Sequence, residues 1–151
     1  MTEAGSGGDS PCVFCAALSE SQMSPLTLYR GDRCFVILNK YPYSNGHLMV
    51  VPTRHVGTLS DATAAELTEL IALTRTAEIV LKEAYQPHGL NVGMNLGKPA
   101  GAGVLGHLHV HVVPRWNGDT NFMTVTAETR VVPEEPSRTV ERLRPLFEQL
   151  A

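Results

Sequence analysis

The stretch His107-Leu108-His109-Val110-His111-Val112-Val113-Pro114 decides how this chain is read. Alternation along an extended strand puts His107, His109 and His111 on one face and Leu108, Val110 and Val112 on the other. The apolar side suits a core. Three imidazoles in strict alternation, roughly 6.6 Å apart along the strand, suit a plain solvated face poorly, because such faces ordinarily mix Thr, Ser, Lys and Glu. Two chemistries stand beside that bland alternative. Alternating histidines can chelate a metal ion. A neutral imidazole, with a reference pKa of about 6.5, can also attack phosphorus and form a phosphoramidate. The second chemistry needs the other ring nitrogen held as a donor, usually to a carbonyl. Flanking imidazoles can then donate to phosphate oxygens.

Outward from this strand, the pattern predicts an antiparallel α+β domain. Leu26 to Tyr29 reads as a strand, Gly31-Asp32 as a turn, and Cys34 to Leu38 as a second strand. Asn39 to Gly46 is a loop, and His47 to Val51 a third strand closed by Pro52. Ser60-Asp61 reads as a helix start. Leu67, Leu70, Ile71, Thr74, Ala77, Leu81 and Ala84 then recur at helical spacing up to Tyr85. Gly89 to Asn95 reads as a fourth strand, followed by a glycine-rich loop with Gly97, Gly101, Gly103 and Gly106. Leu108 to Val113 is the fifth strand, ended by Pro114, and Ser137 to Leu150 a closing helix.

A length of 151 residues fits one domain with one core. Residues 1–10, rich in Gly and Ser, read as a disordered tail, and residues 11–151 as the domain. The formal net charge of -3 speaks against a broad basic surface for nucleic acid. No apolar run approaches the roughly 20 residues that span a bilayer, and the N-terminus lacks the features of a signal peptide. A cytoplasmic protein is therefore expected, with no membrane or nucleic-acid partner. Three cysteines, an odd number, disfavour a disulfide framework. Cys34, in the run Cys34-Phe35-Val36-Ile37-Leu38, reads as a buried thiol. Cys12-x-x-Cys15 is half of a structural zinc site.

The run from His107 to Val113 resembles the signature of the histidine-triad (HIT) family. Asn39 to His47, followed by Leu48-Met49-Val50-Val51-Pro52, resembles that family's first nucleotide-binding segment. The likeness covers roughly residues 12 to 122. It implies the HIT-like fold, a five-stranded antiparallel sheet with one long helix and a C-terminal helix. It also implies a homodimer and a nucleotidyl-transfer site. In that site His109 is the nucleophile toward the α-phosphorus and the His107 carbonyl orients it. His111 and His47 contact phosphate or line the pocket. Asn39 binds ribose hydroxyls, and Asn95 lies near the phosphates. In zinc-bearing bacterial members, the positions of Cys12, Cys15, His55 and His107 match the four zinc ligands. That implies a closed, structural Cys₂His₂ set, and any Mg²⁺ would enter with the nucleotide.

One segment departs from the common pattern. Many members carry Gly-Gln-Ser or Gly-Gln-Thr before the first histidine. Here the chain reads Gly101-Ala102-Gly103-Val104-Leu105-Gly106, with Val104 in place of the hydroxyl. Backbone N–H groups at Gly101 and Gly103 can still meet phosphates. This variant, with Pro114 to Phe122 after the triad, resembles the diadenosine tetraphosphate phosphorylase branch. Trp116 there is a candidate for stacking on adenine, or for a strand-end place in a dimer interface. The expected function is cleavage of dinucleoside polyphosphates with phosphate as acceptor. The alternatives are a hydrolase, a nucleoside phosphoramidase, or a non-catalytic nucleotide-binding module stabilised by zinc.

Overall fold

The runs at 34–38 and 48–52 are buried residue by residue, as strands covered on both faces must be. In the computed structural model they are β2 (Cys34–Leu38) and β3 (Leu48–Pro52), paired antiparallel from Cys34 opposite Pro52 to Leu38 opposite Leu48. The structure describes residues 12–18, 23–40, 45–102, 106–119 and 134–151. The expected tail, the position of Gly103 and the stretch from Asn121 to Phe122 lie outside these residues.

β1 (Thr27–Arg30) flanks β2, while β5 (Val110–Arg115) pairs with β3 and β4 (Gly89–Gly93) forms the far edge. All neighbouring pairs are antiparallel, in the order β1-β2-β3-β5-β4. α1 (Val13–Ala17) precedes the sheet, α2 (Ala64–Tyr85) joins β3 to β4, and α3 (Pro136–Leu150) closes the chain. The five-stranded α+β architecture with one long helix and a C-terminal helix is thus as expected.

Side-chain alternation divides the sheet into two cores. Cys34, Val36, Val50, Val110 and Val112 meet Leu73, Ala77 and Leu81 of α2 and Leu143 and Phe147 of α3. On the opposite face, Phe35, Ile37, Met49 and Val51 meet Phe14 and Ala17 of α1. His111 stands opposite Met49 in the β3–β5 ladder. The histidines therefore share the face covered by α1.

Four local expectations need correction. The long helix starts at Ala64, not at Ser60-Asp61. Thr58 Oγ1 accepts the Asp61 N–H at 3.1 Å and holds that segment as a turn. The true start is the capping box Thr63-x-x-Glu66. Ile71 is 62% exposed, because the buried stripe runs through Leu70, Leu73, Ala77 and Leu81 and Ile71 is turned about 100° from Leu70. Pro114 does not end the fifth strand but lies within it, opposite Leu90. The ladder to β3 ends at Leu48 opposite Val112, two residues earlier, so proline removes no bond on that side. The fourth strand also stops at Gly93, short of Asn95.

Glu66 ties α2 to the segment after β3. Its carboxylate accepts from Thr63 N at 2.8 Å, Arg54 Nε at 2.9 Å and Arg54 Nη2 at 2.8 Å. Hydrogen bonding by Arg54, then by the Thr63 backbone, holds the carboxyl down at about 2. A depressed carboxylate stabilises above its unfolded pKa and loses that contribution as pH falls toward the folded value. Glu66→Gln should cost about 1–2 kcal/mol at pH 7. Urea unfolding should show the gap to wild type closing as pH falls from about 4.5 toward about 2.

Candidate active site and metal centre

The site starts where β5 leaves the sheet. Regular pairing begins at Val110, so His107 and His109 precede it and other bonds hold them. Leu108 N donates to Val56 O at 2.8 Å. His107 Nε2 lies 2.8 Å from Pro52 O. A carbonyl only accepts, so Nε2 carries the proton and Nδ1 keeps its lone pair. The close approach of these segments depends on glycine. Gly106 has φ +79, and a Cβ there would lie 3.2 Å from His55 Nε2. A Cβ on Gly57 would lie 3.0 Å from the Gly106 backbone.

The free Nδ1 of His107 faces the two cysteines. It lies 3.3 Å from Cys12 Sγ, 3.7 Å from Cys15 Sγ and 3.2 Å from His55 Nδ1. Cys15 Sγ is 3.4 Å from His55 Nδ1. All four ligand atoms lie within 4.8 Å of one another. Bond lengths of about 2.0 Å for Zn–N and 2.3 Å for Zn–S give tetrahedral edges of about 3.3–3.8 Å. The donor set, its spacing and the His107 tautomer therefore fit zinc. Burial first, then the hydrogen bond and charge of Cys12, push the Cys15 thiol up. A divalent cation between the sulfurs would reverse that balance.

The backbone of His107 does a second job. His109 Nδ1 lies 3.0 Å from His107 O, so Nδ1–H donates and the Nε2 lone pair points away. His109 is buried. Its ring meets His111 edge-on, with centroids 4.9 Å apart. His111 Nδ1 in turn lies 3.0 Å from His47 Nε2. Burial, then the neighbouring His111, lowers His47 to about 4. Burial and His109 likewise lower His111. Both rings are therefore neutral at pH 7.

The remaining expected residues take different places. His47 is fully buried and backs His111 instead of facing solvent. Asn39, at the end of β2, sets its amide nitrogen 3.2 Å from His47 Nε2, and its N–H donates to His47 O at 3.0 Å. Asn95 and Gly101 are exposed, and the Asn95 amide donates to Gly101 O at 3.3 Å. Trp116 is not brought to the triad. It packs edge-on against Tyr85 at 6.5 Å, on the face of the α2 helix, roughly 20 Å along the chain from His109.

Sequence reasoning missed three groups: the Pro52 and Val56 carbonyls and the Phe14 ring. Phe14 lies between the cysteines of the C-x-x-C, a position that signals packing near the ligands without naming its partner. The carbonyls left no signal, since any residue supplies one.

Comparison with known proteins agrees with this geometry. The HIT domain model matches residues 20–118. An AP-4-A phosphorylase of Mycobacterium tuberculosis is 51% identical over 109 residues, covering 72% of this chain and 56% of that protein. This chain thus spans just over half the length of that relative. An asymmetrical bis(5'-nucleosyl)-tetraphosphatase of Schizosaccharomyces pombe is 35% identical, covering 60% of this chain and 50% of that protein. The crystal structure of a Zn-bound histidine triad family protein from Mycobacterium smegmatis superposes with a TM-score of 0.73 at 27% identity. It covers 92% of this chain and 94% of its own.

Purified protein should carry close to one zinc per chain by elemental analysis, and Cys12→Ser should carry far less. Chelation should lower the melting temperature of the wild type but leave that of Cys12→Ser nearly unchanged. Zinc-free wild-type protein would refute the four-ligand site.

Proposed function

This chain belongs to the HIT family, and from that premise we propose that it is an enzyme cleaving dinucleoside polyphosphates, diadenosine tetraphosphate foremost, by nucleotidyl transfer through His109. The observation that carries this reading is the bond from His109 Nδ1–H to His107 O at 3.0 Å. It leaves Nε2 as the only nucleophilic nitrogen of the ring and aims it away from the backbone. As Nε2 attacks the α-phosphorus, positive charge develops on the imidazole, and the carbonyl partner stabilises it.

The steps balance simply. A bond forms from Nε2 to the α-phosphorus, the bond to the bridging oxygen breaks, and ATP leaves. An oxygen of inorganic phosphate then attacks the same phosphorus, the N–P bond breaks, and ADP leaves with the ring restored. His111, neutral and edge-on to His109, would donate to a phosphate oxygen. Asn39 at the end of β2 is the candidate for ribose contact, with Asn95 and the Gly101 backbone on the phosphate side. Zinc, held by Cys12, Cys15, His55 and His107, would supply structural cross-linking with a closed shell.

Phosphate is favoured as the acceptor by the likeness to a phosphorylase at 51% identity. Water is the second reading, supported by the tetraphosphatase relative. None of the three cysteines forms a disulfide, which fits work in the reducing cytoplasm.

Incubation with diadenosine tetraphosphate decides between the acceptors. ATP plus ADP, formed only with phosphate present, is the expected outcome. ATP plus AMP without phosphate would mean a hydrolase. His109→Ala should lose turnover by at least about 1,000-fold, together with the adenylyl adduct seen by intact mass. Full turnover in that variant would end the proposal.

A homodimer belongs to the same reading. β4 is an edge strand and Val92 on it is 53% exposed, a surface that suits pairing with a second copy. Sedimentation should give twice the chain mass of 16.4 kDa, and a monomer across the micromolar range would exclude it.

A further inference from the structure

A single hydrogen bond leaves an imidazole underdetermined. The bond from Nδ1 to His107 O anchors one edge of the His109 ring. The torsion that turns the ring plane is intrinsically broad, so the direction of Nε2 needs walls. Two rings supply them. His111 lies 4.9 Å away at 76°, and the Phe14 ring lies 5.0 Å away at 47°.

Phe14 also touches the other functional histidine. Its centroid is 5.3 Å from that of His107 at 65°. It is only 3% exposed and packs with Phe35, Ile37, Met49 and Val51. α1, which carries it, has five residues. A helix of that length has no stability of its own in water. What pins α1 at its two ends of the C-x-x-C is the convergence of Cys12 and Cys15 on His55 and His107.

We propose that Phe14 is a positioning residue for His109: the cysteine knuckle holds its ring as the wall that sets the direction of the nucleophilic Nε2. This rests on His109 being the nucleophile. The metal ligands and the nucleophile are then coupled by two routes through His107 and Phe14, one a backbone carbonyl and the other an aromatic contact. Loss of the wall lets the ring swing without unfolding the sheet. Misdirection of a reacting atom lowers the rate of the chemical step with little effect on ground-state binding.

Phe14→Leu keeps an apolar side chain and removes the flat wall. If it does not fold, Phe14→Met fills the same space and takes its place. Three measurements test the proposal: zinc content, rapid-mix formation of the adenylyl adduct against KM, and nitrogen-15 NMR of the histidine rings. Zinc should stay at the wild-type level and KM within about twofold. Adduct formation should slow about tenfold, and the His109 Nδ1–H resonance should broaden or vanish. An unchanged rate with an unchanged resonance overturns the proposal. So does a loss carried by KM alone, which would make Phe14 a binding-pocket residue. A rate loss that tracks zinc loss would place Phe14 in the fold of the knuckle and overturns it too. If the wild type forms no adduct, the nucleophile reading fails, and the NMR resonance still decides whether Phe14 orients the ring.

Discussion

His107 is held in one tautomer by Pro52 O, at 2.8 Å from its Nε2, and the rest of the site depends on that bond. With the proton on Nε2, the Nδ1 lone pair is committed to the side where Cys12, Cys15 and His55 converge. The same residue offers its carbonyl to His109 Nδ1 at 3.0 Å. One residue therefore serves two chemistries, with its side chain as a metal ligand and its backbone as the orienting partner of the nucleophile. Flipping the His107 tautomer would place a proton between the donor atoms and remove a ligand. The carbonyl partner here does for His107 what outer partners ordinarily do for metal-bound imidazoles.

The sheet makes this arrangement rigid. β2 and β3 are buried on both faces, and the α2 and α3 helices cover one of them. The other face carries a smaller apolar cluster and the histidines, under α1. Residues so far apart in sequence meet because three segments end at the same corner: the exit of β3 at Pro52, the entry to β5 at His107, and α1. Gly57 and Gly106 let two of these backbones touch. A side chain at position 106 would crowd His55, and one at position 57 would crowd the Gly106 backbone.

Around the nucleophile, His47 and His111 are neutral rings. Burial disfavours the imidazolium form, which is why His47 falls to about 4 and His111 falls as well. Neutral rings can each accept and donate, so His47 and His111 share a hydrogen bond at 3.0 Å, and His111 meets His109 edge-on. His47, fully buried, is the inner end of these contacts.

Much of this was legible in the sequence because it rests on short-range periodicity. Alternation at 107–113 marked a strand with a histidine face, and unbroken apolar runs marked the inner strands. Residues that meet through the fold were harder. Cys12-x-x-Cys15 announced half a metal site, and only a family resemblance supplied His55 and His107. The geometry then brought all four together. Ser60-Asp61 looked like a helix start; the Thr63–Glu66 capping box, tied to Arg54 through Glu66, set the start at Ala64 instead. Pro114 looked like a strand terminator, yet the β3 ladder had already ended beside it. Trp116 read either as a base-stacking residue or as a strand-end residue of a dimer interface, and within one chain its ring meets Tyr85. The sequence by itself determined which residues can do chemistry, because residue type and local period are local properties. Only the tertiary structure decided which nitrogen of each histidine is free and which ring braces His109, because both depend on carbonyls and side chains from distant segments.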